Sequence, residues 1–450
     1  MSWPPPDLAD EALALLREML RVDTTNPPGN EARIARDILA PLLTREGLKP
    51  TILEKEPGRS NLIVRLAGSG GADPLLLHGH LDVVAANPAR WTHPPFAAVE
   101  ADGCLWGRGA IDMKQTVAMQ IVTLIGLARA GFPLERDLIV AAFADEEMGS
   151  GLGSRWIAAE HPELVRAEYA LSEVGGYTLH FAGQRFYPIM VAEKGFVWLE
   201  LTASGDPGHG SMPSRNNAVL QLARAADRLG RRPLRFAATP QMQAFVAGLA
   251  ENLPEPKATI VRSLLHPIPF RLLGRALFPN ARTADAFSAM LHDTAAPTRL
   301  AGGEQINQIP TTVRAWVDCR ILPGQTTDGL VELVRKRIGP EIDIRVIAEG
   351  APVVTEGDDP LLRAMQRAVS ELDPGSHALT NLLTGFTDAK PLAALGVRTY
   401  GFSPLVLPPE INFAALFHGD DERIPIAGFR RGFHVFAGMV KEFCSAATSA

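Results

Sequence analysis

The sequence has few cysteines, no basic excess and no long apolar run. Its three cysteines, Cys104, Cys319 and Cys444, lie far apart in 450 residues. They provide neither a disulfide framework nor a paired-cysteine zinc site, and they fit a reducing compartment. No uncharged stretch reaches the roughly 18 apolar residues of a membrane span, and the N-terminus lacks the basic and apolar regions of a signal peptide. We therefore expect a cytoplasmic protein.

The charge balance is mildly acidic. The chain has 44 Lys and Arg against 50 Asp and Glu, a formal net charge of −6. A nucleic-acid-binding protein normally shows a basic excess or a basic stripe, whereas the tightest basic cluster here is Arg231, Arg232 and Arg235. We expect no nucleic-acid partner and no membrane partner. With 46% hydrophobic residues, the chain can form two to three domains of roughly 150 residues each.

The first part of the chain has the pattern of a parallel α/β domain. Short apolar runs predict strands at 61–68, 74–84 and 137–147. Helical spacing predicts helices at 7–21, 31–46 and 113–131. Helices between continuous apolar strands are typical of a mostly parallel sheet. Helices at 359–372 and 424–445 indicate that the same domain resumes near the C-terminus.

The pattern changes between these two parts. Residues 187–205 predict strands with a hairpin-like break at Glu193-Lys194-Gly195, and further strands and helices follow up to about 348. Two strand–helix–strand units of this kind make a split α+β layer. We predict an α/β domain formed by 1–190 and 353–450, interrupted by a smaller α+β domain at 191–352 that carries a helical insertion at about 233–300.

A histidine and an aspartate follow the apolar run 74–77, in the segment His78-Gly79-His80-Leu81-Asp82. Residues two apart in an extended chain face the same side. His80 and Asp82 can therefore converge, one as a metal ligand and the other as the carboxylate that holds the imidazole. A loop pair without a metal is the alternative.

Acidic residues begin or end other predicted elements. Asp112, in GRGAIDMK, can cap the long helix or bind a cation. Asp145-Glu146-Glu147 ends a buried strand, where three acids must be solvated or neutralised by a metal. The following GSGLGS resembles a dinucleotide-binding loop, but Ser154 replaces its third glycine and the acids would repel a pyrophosphate. We therefore exclude dinucleotide binding.

Taken together, five segments of the predicted α/β domain supply two imidazoles and three carboxylates. They are His80, Asp112, Glu147, Glu173 and His418. This ligand set suits two borderline divalent ions such as zinc, with one carboxylate between them. Glu146 is a spare carboxylate beside a ligand and can act as a general base.

The ordered motifs HGHLD, GRGAIDMK, DEEMGSG, SEVGG, GHGSMP, NQIP, VDCR and FHGDDER span residues 78–423. In order and spacing they resemble the di-zinc aminoacylase and carboxypeptidase family, which includes carboxypeptidase G and succinyl-diaminopimelate desuccinylase. WTHPPFAAVEADGCLWGRGAIDMK, RILPGQT and the insertion are most similar to the branch of carboxypeptidase S and the N-acyl-amino-acid hydrolases. The resemblance implies a zinc-exopeptidase-like catalytic domain and a ferredoxin-like lid and dimerisation domain.

The resemblance also implies roles. His80 and Glu173 would hold one Zn²⁺, Glu147 and His418 the other, and Asp112 would bridge two ions per subunit, for which Co²⁺ or Mn²⁺ could substitute. Asp82 would orient His80, Glu146 would be the base, and the Asp112–Met113 peptide would be cis.

The interrupting domain would supply three further residues. The resemblance implies that His209 reaches the active site of a partner subunit in a homodimer, and that Asn307 and Arg320 recognise the substrate carboxylate. From the residues alone, His209 can equally be a loop histidine, Asn307 can end a strand, and Arg320 can pair with Asp318.

The implied activity is that of a zinc-dependent metallopeptidase or aminoacylase. It would hydrolyse the amide bond of N-acyl amino acids or of short peptides with a free C-terminal carboxylate. The alternatives are a dipeptidase or aminopeptidase of the same family, and a catalytically silent binding protein.

Overall fold

The computed structural model describes residues 3–278, 281–355, 357, 359–411 and 413–445. The chain divides into two compact units. The first comprises Met1–Val191, Thr355–Thr380 and Thr387–Ala450, and the second comprises Ala192–Val354 and Asn381–Phe386. Asn381–Phe386 therefore belongs to the second unit, although the sequence pattern placed it with the C-terminal part of the α/β domain.

The helices and strands are numbered separately in chain order. The helices are α1 (Leu8–Leu20), α2 (Ala32–Ile34), α3 (Ala40–Arg45), α4 (Lys114–Ala130), α5 (Ser154–Glu160), α6 (Ala218–Gly230), α7 (Pro240–Glu251), α8 (Lys257–Ser263), α9 (Pro267–Leu277), α10 (Ala281–Leu291), α11 (Thr327–Ile338), α12 (Pro360–Leu372), α13 (Ala389–Ala393), α14 (Phe413–Leu416) and α15 (Ile426–Cys444). A π-helical segment, Ala35–Leu39, joins α2 to α3. The strands are β1 (Thr51–Glu54), β2 (Ser60–Leu66), β3 (Ala72–His80), β4 (Val99–Ala101), β5 (Cys104–Trp106), β6 (Arg136–Phe143), β7 (Tyr169–Ser172), β8 (Leu179–Phe181), β9 (Gln184–Glu193), β10 (Gly195–Ser204), β11 (Gly208–His209), β12 (Thr294–Ala301), β13 (Gln308–Ile309), β14 (Thr312–Ile321), β15 (Asp343–Gly350), β16 (Val353–Val354), β17 (His377–Leu383), β18 (Arg398–Gly401) and β19 (Arg423–Pro425).

The first unit is built on a central sheet whose strand order is β1-β2-β6-β3-β7-β18-β9. The four middle strands are parallel, and β1, β2 and β9 pair antiparallel at the two sides. Its middle strands are buried along nearly their whole length, as expected for parallel strands covered on both faces. The predicted mostly parallel sheet is confirmed.

Helix α4 is buried beside this sheet. Its first fourteen residues, Lys114 to Leu127, are all buried, and it packs against α1, α15, β3 and β6. Two of its buried polar side chains donate hydrogen bonds within the protein: Lys114 donates to the backbone of Met19 and Val22, and Gln120 donates to the backbone of His78. The helix ends at Gly131, whose φ of +61° permits a left-handed cap.

The second unit contains an antiparallel sheet with the order β12-β14-β10-β15. Helices α6 and α11 cover one face, and their apolar side chains form one core with alternate residues of β10 and β14. In chain order these elements run β-α-β-β-α-β, the connectivity of a split β-α-β layer. Helices α7 to α10 lie between α6 and β12 in the sequence, in the region predicted to be a helical insertion.

One local prediction was wrong. Glu193-Lys194-Gly195 does not form a hairpin, because β9 and β10 belong to different sheets. Of the two alternatives left open for Asp112, the helix cap is not observed, because the N-cap position of α4 is Met113 and no side chain caps that end. The Asp112–Met113 peptide is cis, as the resemblance implied. None of the described helices is long and apolar enough to cross a membrane.

Candidate metal centre

Three parallel strands end beside one another in the first unit. In the β3–β6 pair, His80 lies opposite Phe143, and in the β3–β7 pair, Leu77 lies opposite Leu171. The segments that follow these strands therefore emerge at the same edge of the sheet, where α/β proteins place their ligands. They carry the predicted site residues Asp82, Glu146, Glu147 and Glu173.

The structure brings two imidazoles to opposite oxygens of Asp112. His80 Nε2 lies 3.2 Å from Asp112 Oδ1, and His418 Nε2 lies 3.3 Å from Asp112 Oδ2. Glu173 Oε1 is 3.8 Å from His80 Nε2. Glu147 Oε2 is 3.1 Å from His418 Nε2. These five residues form two groups of donors that share Asp112, and the ligand atoms within each group lie within 4.8 Å of one another.

The electrostatics of this cluster favour bound cations. Burial raises the pKa of Glu146 and Glu173 well above the usual range of a carboxyl group. The carboxylates of Asp112 and Glu147 raise the pKa of His418 to about 10. Buried carboxylates that lack enough positive partners are costly, and divalent ions would supply the missing charge.

The donor set fits zinc. One buried oxygen, Glu147 Oε1, has no hydrogen-bond partner among the described residues. Each group combines one imidazole with two carboxylates, and zinc accepts both ligand types. The structure therefore has donors of the right chemistry for two metal ions, with Asp112 between them.

Asp82 is fully buried, and its carboxylate mainly contacts groups other than His80. It accepts a hydrogen bond from the Asn26 side chain at 2.8 Å and from the backbone N–H groups of Glu146 and Glu147 at 3.1 and 3.2 Å. His80 Nδ1 is 2.9 Å from the backbone oxygen of Asp82 but 3.5 Å from its carboxylate. The main chain of Asp82 is thus the nearer hydrogen-bond partner of the imidazole.

Glu146 belongs to neither donor group. Its Oε2 atom lies 3.8 Å from His80 Nε2, and its side chain is buried. It is therefore a buried carboxylate beside the His80 imidazole that belongs to neither donor group.

Sequence reasoning missed a polar network behind the cluster. The Asn26 amide nitrogen donates to Asp82 and, at 3.0 Å, to Asp145 Oδ1. Arg59 forms two hydrogen bonds of 2.7 Å with the fully buried Glu31 and one of 3.2 Å with Asp145. Asn26 and Glu31 both lie in the segment NPPGNE, but the sequence gives no sign of the partners of either residue.

Asp388 is a second missed residue. Its Oδ1 atom accepts hydrogen bonds from Ser150 at 2.8 Å and from Ser154 at 2.5 Å. The serines of GSGLGS thus serve a buried carboxylate, which gives a physical reason for serine at the position where a dinucleotide loop has glycine.

The remaining predicted residues lie in the second unit. His209 is exposed on β11 and pairs with Gln308 of β13, while its Nδ1 atom is 2.8 Å from the Ser211 hydroxyl. Asn307 is exposed and immediately precedes β13, and its backbone oxygen accepts the N–H of Gly210 at 2.7 Å. The structure thus brings His209 and Asn307 onto one two-stranded ribbon.

Arg320 lies on β14 and pairs with Asp318, the alternative that the sequence left open. Its Nε and Nη2 atoms lie 2.9 and 3.0 Å from the two Asp318 oxygens. Its Nη1 atom is buried and has no hydrogen-bond partner among the described residues. The guanidinium lies 5.4 Å from the ring centre of Phe386. Nη1 is therefore the one guanidinium nitrogen of Arg320 without a hydrogen-bond partner among the described residues.

Solved structures share this fold. An M20 family metallo-carboxypeptidase, Sso-CP2 from Sulfolobus solfataricus, superposes with a TM-score of 0.71 over 96% of this chain and 99% of its own, at 19% identity. At that identity the likeness shows the fold alone.

Sequence comparison defines the class. N-fatty-acyl-amino acid synthase/hydrolase PM20D1 of Xenopus tropicalis is 30% identical over 78% of this chain and 69% of its own. Aminoacylase-1 of Sus scrofa is 26% identical over 96% of this chain and 95% of its own. The model of peptidase family M20/M25/M40 matches residues 76–442, and the chain belongs to that family. The protein is therefore a metal-dependent hydrolase. The family prediction is confirmed.

Proposed function

We propose that the protein hydrolyses the amide bond of N-acyl amino acids, or of short peptides, that end in a free carboxylate. One observation carries the proposal: two donor groups share Asp112, and the unliganded carboxylate of Glu146 lies beside them. The relatives described as an N-fatty-acyl-amino acid synthase/hydrolase and an aminoacylase support an acyl group on the amine side.

His80 and Glu173 would hold one zinc ion, Glu147 and His418 the other, and Asp112 both. Bound zinc lowers the pKa of a water molecule and polarises the scissile carbonyl group. Co²⁺ and Mn²⁺ fit the same oxygen and nitrogen donors.

Glu146 would move the proton. Its carboxylate takes a proton from the attacking water and returns it to the nitrogen of the leaving amine. Its exclusion from both donor groups leaves its oxygens free for this transfer, and its buried position keeps bulk water from competing.

Residues of the second unit would bind the rest of the substrate. Arg320 would donate from Nη1 to the substrate carboxylate, while its Nε and Nη2 atoms stay paired with Asp318. Asn307 would contact the same carboxylate. His209, supplied by the partner subunit of a homodimer, would stabilise the negative charge that develops on the carbonyl oxygen.

The three cysteines are free and buried, which supports a reducing, cytoplasmic location.

A hydrolysis panel tests the proposal. The purified protein is assayed on N-acyl amino acids with acyl chains from acetyl to long fatty chains, and on dipeptides. Each assay is repeated after chelation and after zinc is restored. We expect amine release from N-acyl amino acids that is lost on chelation and recovered with zinc. Turnover confined to dipeptides would identify a dipeptidase instead, and bound zinc without turnover on any substrate would identify a binding protein.

A further inference from the structure

Glu422 is a fully buried carboxylate whose hydrogen bonds all come from one loop. Its Oε1 atom accepts the backbone N–H groups of Ile111 at 2.6 Å and Asp112 at 2.9 Å. Its Oε2 atom accepts the N–H of Gly109 at 3.1 Å and Nη1–H of Arg108 at 2.7 Å. Each of these partners is a donor, and an ionised carboxylate presents only acceptors. The loop therefore selects a carboxylate at this position.

The same contacts join the two segments that carry Asp112 and His418. Strands β5 and β19 pair, and the N–H of Gly107 continues their ladder by donating to the backbone oxygen of Glu422 at 3.0 Å. Arg108 also donates from Nη2 to the backbone oxygen of Gly419 at 2.9 Å. The loop before Asp112 and the loop after His418 are thus bonded to each other through side chains and main chain.

His418 depends on such support. Its side chain is 56% exposed, and its φ of +54° lies in the left-handed region that favours glycine. Packing around the imidazole therefore does little to fix the position of His418. That position is set by the residues that follow His418 in the chain. Asp112 contributes its own backbone N–H to the Glu422 carboxylate, so both ligand candidates are tied to one side chain.

We propose that Glu422 is a positioning residue that sets the separation of Asp112 and His418, and with it the affinity of the metal site that those two residues form with Glu147. The inference rests on the proposed function, because it concerns the metal centre proposed there. Glutamine keeps the size of the side chain but turns an NH₂ group toward donors. The Glu422→Gln variant should therefore loosen the two loops without creating a cavity.

The test titrates the metal-free protein with Co²⁺ and follows binding by calorimetry and by the visible absorption of the ion. The wild-type chain should bind two ions. The Glu422→Gln variant should lose about 10- to 100-fold in affinity at the site that contains His418, the usual effect of removing a group that holds a ligand. It should lose less at the other site, which shares only Asp112 with the first. The His418→Ala variant marks that site in the same titration.

Asp420→Asn is the matched control. Asp420 lies in the same loop as Glu422, but its carboxylate pairs with Arg90 at the surface, at 2.6 Å. This variant should bind both ions as the wild type does. A second variant, Arg108→Lys, keeps the charge and loses the fork that joins Glu422 to Gly419. Arg108→Lys should weaken metal binding at the same site, and it tests the proposal if Glu422→Gln does not fold.

The outcomes separate this inference from the proposed function. Two ions bound with wild-type affinity in both Glu422→Gln and Arg108→Lys would overturn the positioning role, even if both variants melt at lower temperature. Equal weakening of both sites would also overturn it, because the contacts favour the site of His418. A wild-type chain that binds no Co²⁺ or Zn²⁺ would instead overturn the proposed function, and this inference with it.

Discussion

The buried carboxylate of Asp82 accepts the backbone N–H of Glu146 at 3.1 Å. It accepts the N–H of Glu147 as well, at 3.2 Å. One side chain thus holds the main chain of both the proposed base and a proposed zinc ligand. The sequence predicted another task for it, the orientation of His80, whose Nδ1 atom lies 3.5 Å from the Asp82 carboxylate and 2.9 Å from the Asp82 backbone oxygen.

Asp82→Asn should therefore act mainly on the loop that carries Glu146 and Glu147. In asparagine one carboxylate oxygen, an acceptor, is replaced by an NH₂ group, which is a donor. The partners of Asp82 are themselves N–H donors, so at least one of these hydrogen bonds is lost. We expect kcat/KM or metal affinity to fall by about 10- to 100-fold, measured by steady-state kinetics and metal titration. Asp137→Asn is the control, because Asp137 also accepts a backbone N–H, that of Gly68 at 2.7 Å. Wild-type values for both quantities in Asp82→Asn would contradict this role.

Glu146→Gln should keep both metal ions and lose turnover. The amide cannot accept the proton of the attacking water, and removing a general base typically costs roughly 10²- to 10⁴-fold in rate. Metal content is measured by elemental analysis. The kcat is measured on the best substrate of the hydrolysis panel. Glu147→Gln provides the contrast, since it alters a ligand and should lower metal content. Loss of metal from Glu146→Gln, or a near-normal kcat, would show that the base lies elsewhere.

The residues of the metal centre could be found from the sequence because each follows or precedes a recognisable element. His80 and Glu173 come at the ends of apolar strands, and parallel strands end at one edge of a sheet. Asp112 precedes the predicted long helix and His418 lies outside those strand ends, and both were included because they complete a set of two imidazoles and three carboxylates. Candidate metal ligands are recognised by their residue types and by their order along the chain, and both can be read from a sequence.

The supporting network could not be found in the same way. Asn26, Arg59 and Glu422 act through contacts between segments distant in sequence, and a lone polar residue carries no sign of its partner. The wrong hairpin at Glu193-Lys194-Gly195 has a related cause. A strand pattern shows which residues are buried but does not show which sheet the strand joins, and here β9 and β10 continue into different sheets.

Arg320→Lys should raise KM for substrates with a free carboxylate much more than for their amides. Lysine keeps the charge but lacks the planar guanidinium group of arginine. It therefore cannot pair with Asp318 and at the same time donate to the substrate carboxylate. A hydrogen bond to a charged group is worth about 1.5–3 kcal/mol, which corresponds to roughly 10- to 100-fold in KM. Arg345→Lys is the control, because Arg345 pairs with Glu200 on the same sheet and is largely exposed. Equal effects on acids and amides would show that Arg320 only supports the sheet.

His209 should act across a dimer interface. It lies in the second unit, on the exposed β11–β13 ribbon, whereas all the metal-ligand candidates belong to the first. Two arrangements can bring it into play: closure within one chain, or donation from a partner subunit, which the family resemblance favours. Both His209→Ala and Glu146→Gln should be inactive alone. His209→Ala lacks the group that stabilises charge on the carbonyl oxygen, and Glu146→Gln lacks the base.

Mixing the two variants under conditions of subunit exchange distinguishes these arrangements. In a mixed dimer, the His209→Ala chain keeps Glu146 and receives His209 from its partner, so one of the two sites is complete. At equal random mixing half of the dimers are mixed, and activity should return to about one quarter of the wild-type value. Each variant incubated with itself is the control and should stay inactive. If exchange is demonstrated by differently tagged chains and no activity returns, then His209 does not act in trans, because within single chains no mixture can combine an intact Glu146 with an intact His209.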